Sequence, residues 1–278
     1  MDLTRRTFLG NLALGAVSIP LVGTARLLAA PDPWGGFRMG MQSYSVRKRK
    51  TPAEALAAYK DLGLAFAEFY PGNLPVSADA ETLKGYQASF KSAGVTLAAY
   101  GVMGFKKDGE ADARKIFDFA KAMGAGMISA DPDPEAGEYV DKLIGEYGIK
   151  IGIHNHGPTH RFNGVDTVLK AVEGRSTGFG ACVDTGHTLR SAENPVEWIR
   201  KLGERVHGCH LKDVKGSKDQ AKFTKLGEGD LDVVGTLKAL KDVGFTGCLS
   251  LEYEENPDDP MADIKECLET VKKAVKKL

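Results

Sequence analysis

From residue 37 onward, short apolar runs alternate with longer amphipathic stretches. Phe37-Arg-Met-Gly-Met-Gln42-Ser-Tyr44 reads as a first strand. Thr51 then caps a helix with Pro52 at its first position, on which Ala55, Leu56, Tyr59 and Leu62 keep helical spacing. After that one junction recurs: a helix ends on a glycine, and an apolar strand begins within about two residues. It occurs at Gly63, Gly94, Gly124, Gly148 and Gly244. The runs that follow are apolar without alternation, as in strands covered on both faces. With further strands near 180–184 and 206–211 the count reaches eight. Helices are predicted at about 51–62, 80–93, 110–123, 135–147, 163–174, 194–202, 231–243 and 260–277. This order predicts an α/β chain folded as a (β/α)8 TIM barrel over residues 31–278. The rival, an open doubly wound sheet, normally carries a glycine-rich phosphate turn after its first strand, and Gln42-Ser-Tyr-Ser45 has none. The longest irregular stretch, Val214–Asp230, follows the seventh strand and is expected to overhang the barrel mouth.

The first 30 residues do not fit this alternation. Thr4-Arg5-Arg6-Thr7-Phe8-Leu9, an apolar stretch from Leu12 to Val22, and Ala29-Ala30 before Pro31 resemble a twin-arginine export signal. The expectation is a precursor handled by the twin-arginine export machinery, with a periplasmic or otherwise exported product and no lasting membrane association. The whole chain is formally neutral. Removing Asp2, Arg5, Arg6 and Arg26 with the leader leaves 34 basic and 36 acidic residues, a charge of −2. That balance argues against a nucleic-acid partner. No Cys-x-x-Cys pair occurs among Cys182, Cys209, Cys248 and Cys267, so buried free thiols are expected. The chain leaves open whether it forms a homo-oligomer.

All six histidines fall between Gly152 and Asp213. Strands five to seven end in His154-Asn155-His156, Asp184-Thr-Gly-His187 and His210-Leu-Lys212-Asp213, and strand eight ends in Glu252. Barrel enzymes build their sites at this end of the strands. Asp184, His210 and Glu252 are therefore the core of a candidate metal site. Mixed oxygen and nitrogen ligands suit manganese, zinc, cobalt or iron better than calcium. His156 and His187 are candidate acid–base groups, while His160 and His207 read as structural. Tyr44 and Tyr100 are expected to wall the pocket. Lys212 is expected to bind a substrate hydroxyl or anionic group, or else to pair with Asp213. Glu68, at the end of strand two, is a further candidate on the substrate side.

Gln42-Ser-Tyr-Ser-Val-Arg47, His154-Asn-His-Gly, Val183-Asp-Thr-Gly-His187, His210-Leu-Lys-Asp213, Leu226-Gly-Glu-Gly-Asp230 and Ser250-Leu-Glu-Tyr resemble the xylose isomerase-like sugar isomerase/epimerase superfamily. The resemblance runs from Arg38 to Leu278 and specifies the superfamily better than the substrate. It implies one divalent ion, manganese first and zinc, cobalt, iron or magnesium as alternatives. The ligands would be a Glu, an Asp, a His and a Glu at strand ends five to eight. The last three map to Asp184, His210 and Glu252, and the Asp-x-x-His pair places His187 against substrate. The first Glu is replaced here by His154, which can still ligate. The implied activity is a sugar isomerase or epimerase that removes a proton beside a carbonyl polarised by the metal. The alternative is a 3-keto-sugar or 3-keto-glycoside lyase or dehydratase, because elimination needs no second glutamate on the opposite face. A related endonuclease or a non-catalytic carbohydrate-binding protein fits less well.

Overall fold

The computed structural model describes residues 32–278, and the expected export signal lies outside the described residues. Strand β1 (Arg38–Met41) leads into α1 (Pro52–Leu62). The Thr51 hydroxyl accepts from Glu54 N, and the Glu54 carboxylate accepts from Thr51 N, a reciprocal pairing that satisfies two orphan donors of the first turn. Helix α1 ends on Gly63 at φ 66°, a left-handed conformation open mainly to glycine. Then follow β2 (Phe66–Phe69), α2 (Ala80–Ala93), β3 (Thr96–Phe105), α3 (Glu110–Met123), β4 (Met127–Pro132), α4 (Gly137–Tyr147), β5 (Lys150–His154), α5 (Val165–Val172) and β6 (Phe179–Asp184). A short helix, α6 (Thr185–Arg190), precedes α7 (Pro195–Leu202) and β7 (Val206–Leu211). A hairpin, β8 (Asp213–Lys215) and β9 (Lys222–Thr224), comes next, and α8 (Val233–Asp242), β10 (Cys248–Leu251) and α9 (Met261–Val275) complete the chain.

Eight parallel strands form one sheet in the order β1-β10-β7-β6-β5-β4-β3-β2, and a parallel bridge between Gln42 and Glu68 brings its two edges together. Tyr59 of α1 supports that seam: its hydroxyl lies 2.7 Å from Met41 O and 3.2 Å from Glu68 O. The chain is thus a (β/α)8 barrel with its helices outside. Phe69, Phe117, Phe119, Phe179 and Trp198 are fully buried in the layer between sheet and helices. Inside the barrel Ala99, Met127 and Cys182 form a smaller apolar cluster. A side chain at Gly208 would strike Met127 and Cys182, so the interior is packed with no room to spare. All four cysteines are free and buried. Among the described residues no helix is long and apolar enough to cross a membrane.

His207, in β7, lies away from the ligand-bearing strand ends, with Nε2 2.9 Å from Thr177 O. Burial, followed by the charge of Lys150, pushes its pKa down to about 4. The unfolded chain therefore takes up this proton more readily than the folded one between about pH 6.5 and the folded value. The stability linked to His207 is fully present above that window and is lost as the pH falls through it. In urea titrations, His207→Gln is expected to lose about 2 kcal/mol less stability than the parent between about pH 7.5 and about pH 5. Equal losses would show that His207 does not carry the effect.

Candidate metal centre

The four strand-end residues expected to share a metal converge. His154 ends β5, Asp184 ends β6, His210 is the penultimate residue of β7, and Glu252 directly follows β10. The parallel register sets Asp184 directly beside His210. One ligand atom from each of the four lies within 4.8 Å of the others, and all four residues are buried. His154 Nε2 is 3.0 Å from His210 Nδ1 and 3.4 Å from Asp184 Oδ2. His210 Nδ1 is 3.1 Å from Glu252 Oε2 and 3.7 Å from Asp184 Oδ2. Ligands bonded at about 2.0–2.2 Å in octahedral or tetrahedral geometry lie roughly 3.0–3.5 Å apart. Asp184 Oδ2 and Glu252 Oε2 are buried and share the Lys212 ammonium, at 3.0 and 2.8 Å. Buried carboxylates need a counter-charge of this kind, which a divalent ion would also supply. Two imidazoles and two carboxylates at this spacing fit a divalent transition-metal ion.

Two of the four ligands, Asp184 and His210, are held from behind. Asp184 Oδ1 accepts from His187 N at 2.8 Å as the cap of α6, which leaves Oδ2 facing the cluster. His210 Nε2 is 2.9 Å from Glu68 Oε1, which leaves Nδ1 to ligate. Glu68 is fully buried, accepting from Ser129 Oγ at 2.6 Å and from Ser250 Oγ at 2.8 Å. Burial alone would raise its pKa, but His210 outweighs that effect and holds it below the usual value. Asn155 ties β5 to β6: Asp184 N donates to Asn155 Oδ1 at 2.8 Å, and Asn155 Nδ2 donates to Asp184 O at 3.0 Å. Thr185 Oγ1 accepts from Lys212 N at 2.9 Å and so links β6 to β7. Ser45 Oγ accepts from Tyr253 N at 2.9 Å, linking β10 to β1. None of these supporting roles is legible in the sequence, because a short polar residue beside a ligand looks like any turn residue.

A cavity of about 360 Å³ opens over the cluster. Its wall includes Gln42, Tyr44, Tyr70, His154, His156, His187, Arg190, Lys212, Phe223, Glu252 and Glu254. Phe223 comes from the hairpin β8–β9, so the stretch after the seventh strand does overhang the mouth, as a hairpin and not as irregular chain. Tyr44 packs edge-on against Tyr70 at 5.2 Å. His156 Nδ1 lies 3.3 Å from His154 Nδ1. Burial, then the neighbouring His154, lowers the His156 pKa to about 4. Burial lowers that of His187 to about 2, so both rings are neutral near pH 7. Arg190 Nη1 donates to His187 Nδ1 at 3.0 Å. A guanidinium has no acceptor, so the neutral His187 ring carries its proton on Nε2 and is a donor, not a base.

Three expectations are corrected. Tyr100 does not wall the pocket: it is fully buried, its hydroxyl donates to Leu74 O at 2.8 Å, and its ring packs 5.0 Å from Phe119. The next two residues, Gly101 and Val102, are on the cavity wall instead, where the register of β3 shifts. Glu68 does not line the cavity but supports His210 from behind. Lys212 does not pair with Asp213. Its ammonium lies 2.8 Å from Glu252 Oε2, 3.0 Å from Asp184 Oδ2 and 2.5 Å from Glu254 Oε1. Asp213 instead accepts from the backbone amides of Val214, Gly227, Gly229 and Leu231 and shapes the loop around the hairpin. Burial would raise the Asp184 carboxyl, but Lys212 outweighs it and holds the group well below the usual carboxylate range. His160, 3.3 Å from Asp131, lies off the cavity wall.

Residues 56–274 match the family model described as "Xylose isomerase-like TIM barrel". An inosose dehydratase from Clostridium botulinum is 31% identical over 137 residues, covering 42% of this chain and 44% of that protein. The chain thus spans less than half the length of the curated relatives it matches. Among solved structures, an uncharacterised protein from Parabacteroides distasonis aligns with TM-score 0.68 at 27% identity, covering 86% of this chain and 99% of that one. IolI, solved with a bound zinc atom, aligns with TM-score 0.68 at 15% identity, covering 86% of this chain and 98% of that one, a likeness of fold alone.

Proposed function

Because the chain belongs to the xylose isomerase-like TIM barrel family, we propose that it is a divalent-metal-dependent carbon–oxygen lyase acting on a keto-sugar or a cyclic polyhydroxy ketone. The observation that carries this reading is the place of His154. Its Nε2 lies 3.0 Å from His210 Nδ1, inside the ligand set, where the family pattern would put a second glutamate. Glu252 is then the one carboxylate of the set facing the cavity beside the donors His187 and Lys212. An ion held by His154, Asp184, His210 and Glu252 would supply Lewis acidity to a substrate carbonyl. The Glu252 carboxylate takes the proton from the neighbouring carbon. His187 Nε2–H donates a hydrogen bond to substrate oxygen, while Tyr44 and Phe223 shield the reacting end from water. Loss of the β-hydroxyl then takes up that same proton, so the net change is removal of one water. One carboxyl group serves both halves, whereas epimerisation needs an acid on the opposite face. The similarity to an inosose dehydratase supports elimination over isomerisation. A zinc-holding fold neighbour supports a divalent ion, with zinc and manganese the first to try.

The test offers inosose, 3-keto-glycosides and free ketoses to the metal-loaded protein in heavy water and follows the products by mass spectrometry. The expected products have lost water or the glycosidic leaving group, and recovered substrate carries solvent deuterium. Clean epimerisation of a free ketose, with no elimination from inosose or any 3-keto-glycoside, would overturn the lyase reading in favour of an epimerase.

A further inference from the structure

Resting on that reading of the cavity, the geometry points to an acidic substrate: we infer that Arg190 binds a carboxylate or phosphate group carried by the sugar. The other cations near the site are already engaged. Lys212 touches three carboxylates, and Arg47 donates to the backbone oxygens of Tyr44 and Glu254. Arg190 lines the cavity, yet among the described residues no carboxylate oxygen lies within 4.0 Å of its guanidinium. Its one hydrogen bond goes to His187 Nδ1, and its plane rests on Phe223 with Cζ 5.3 Å from the ring centroid. A guanidinium has five N–H donors, so most of this fork is free. Its position is held from both sides. Phe223 covers one side, and at Gly157 a Cβ would come within 3.0 Å of Arg190 Cζ, so the absence of a side chain there leaves the group its space. A planar fork held in place and lacking an acidic partner matches the two oxygens of a carboxylate or phosphate. Its bond to His187, whose backbone N donates to the capping carboxylate of Asp184, places such an anion at the far end of a small sugar whose carbonyl faces the ligand set.

The measurement is calorimetric binding to the metal-loaded protein, using matched neutral and acidic probes. These are glucose, glucuronate and glucose 6-phosphate, together with ketoses and their keto-acid counterparts. Acids are expected to bind about 10- to 100-fold more tightly than their neutral partners, the range of a charge-assisted pair. The carboxylate and phosphate arms identify which anion is preferred. Arg190→Gln is expected to abolish the preference, weakening acids far more than neutral sugars, whose smaller loss reports the His187 ring that Arg190 orients. Arg190→Lys is expected to keep part of it, and this second variant guards against a fold lost in the first. The assignment is overturned if neutral sugars bind as tightly as their acids, if Arg190→Gln weakens both classes equally, or if no acid binds. Metal content and water loss are read separately, so failure of the lyase reading leaves this outcome interpretable.

Discussion

Replacing Lys212 with methionine is expected to cost the metal-free protein about 3–5 kcal/mol, and an added divalent ion is expected to restore most of that loss. Lys212 is buried at 3% exposure, with Asp184 Oδ2 and Glu252 Oε2 at 3.0 and 2.8 Å. Removing the ammonium leaves the buried Asp184 and Glu252 carboxylates, with Glu254 beside them, without their shared lysine, and uncompensated buried charge is the expensive case. A bound dication neutralises the same oxygens, so the penalty belongs to the metal-free protein alone. Urea unfolding with chelator and with excess zinc or manganese measures both values. An equal loss in the two conditions would mean that Lys212 acts by packing and not as the counter-charge of the ligand set.

The second large effect is on turnover. Glu252→Gln is expected to lower kcat by about 10²–10⁴-fold at saturating metal, the range for loss of a positioned general base. The amide preserves shape and one oxygen for the ion but cannot take up a proton. His187→Ala is expected to cost less, because its Nε2–H donates a hydrogen bond and transfers no proton. Full activity in Glu252→Gln would move the base elsewhere, and His156→Ala would then identify it.

The barrel was legible because its signals are local and repeated. Glycine exits at Gly63, Gly94, Gly124 and Gly148, each followed by an unbroken apolar run, mark the successive early units, and Thr51 caps the first helix. The ligands could be read for the same reason, since each ends its own strand. Tyr100 was misplaced because a single step along a strand reverses a side chain, and no sequence signal fixes which face a strand's last residues present. Glu68 and the alternative pairing of Lys212 with Asp213 were misread because the partners come from other strands. Glu68 meets Ser129 and Ser250 across 61 and 182 residues, and Lys212 meets Glu254 across 42. The hairpin and its Phe223 were hidden in a polar stretch whose strands have only three residues each.

The measurement that bears most directly on the metal centre is elemental analysis of the purified protein and four single variants after loading and desalting. The parent is expected to retain close to one divalent ion per chain. Asp184→Ala, His210→Ala and Glu252→Ala are expected to retain almost none, and His154→Ala a reduced amount. Full metal content in all four variants, or none in the parent, would contradict the assignment of this cluster as the metal centre.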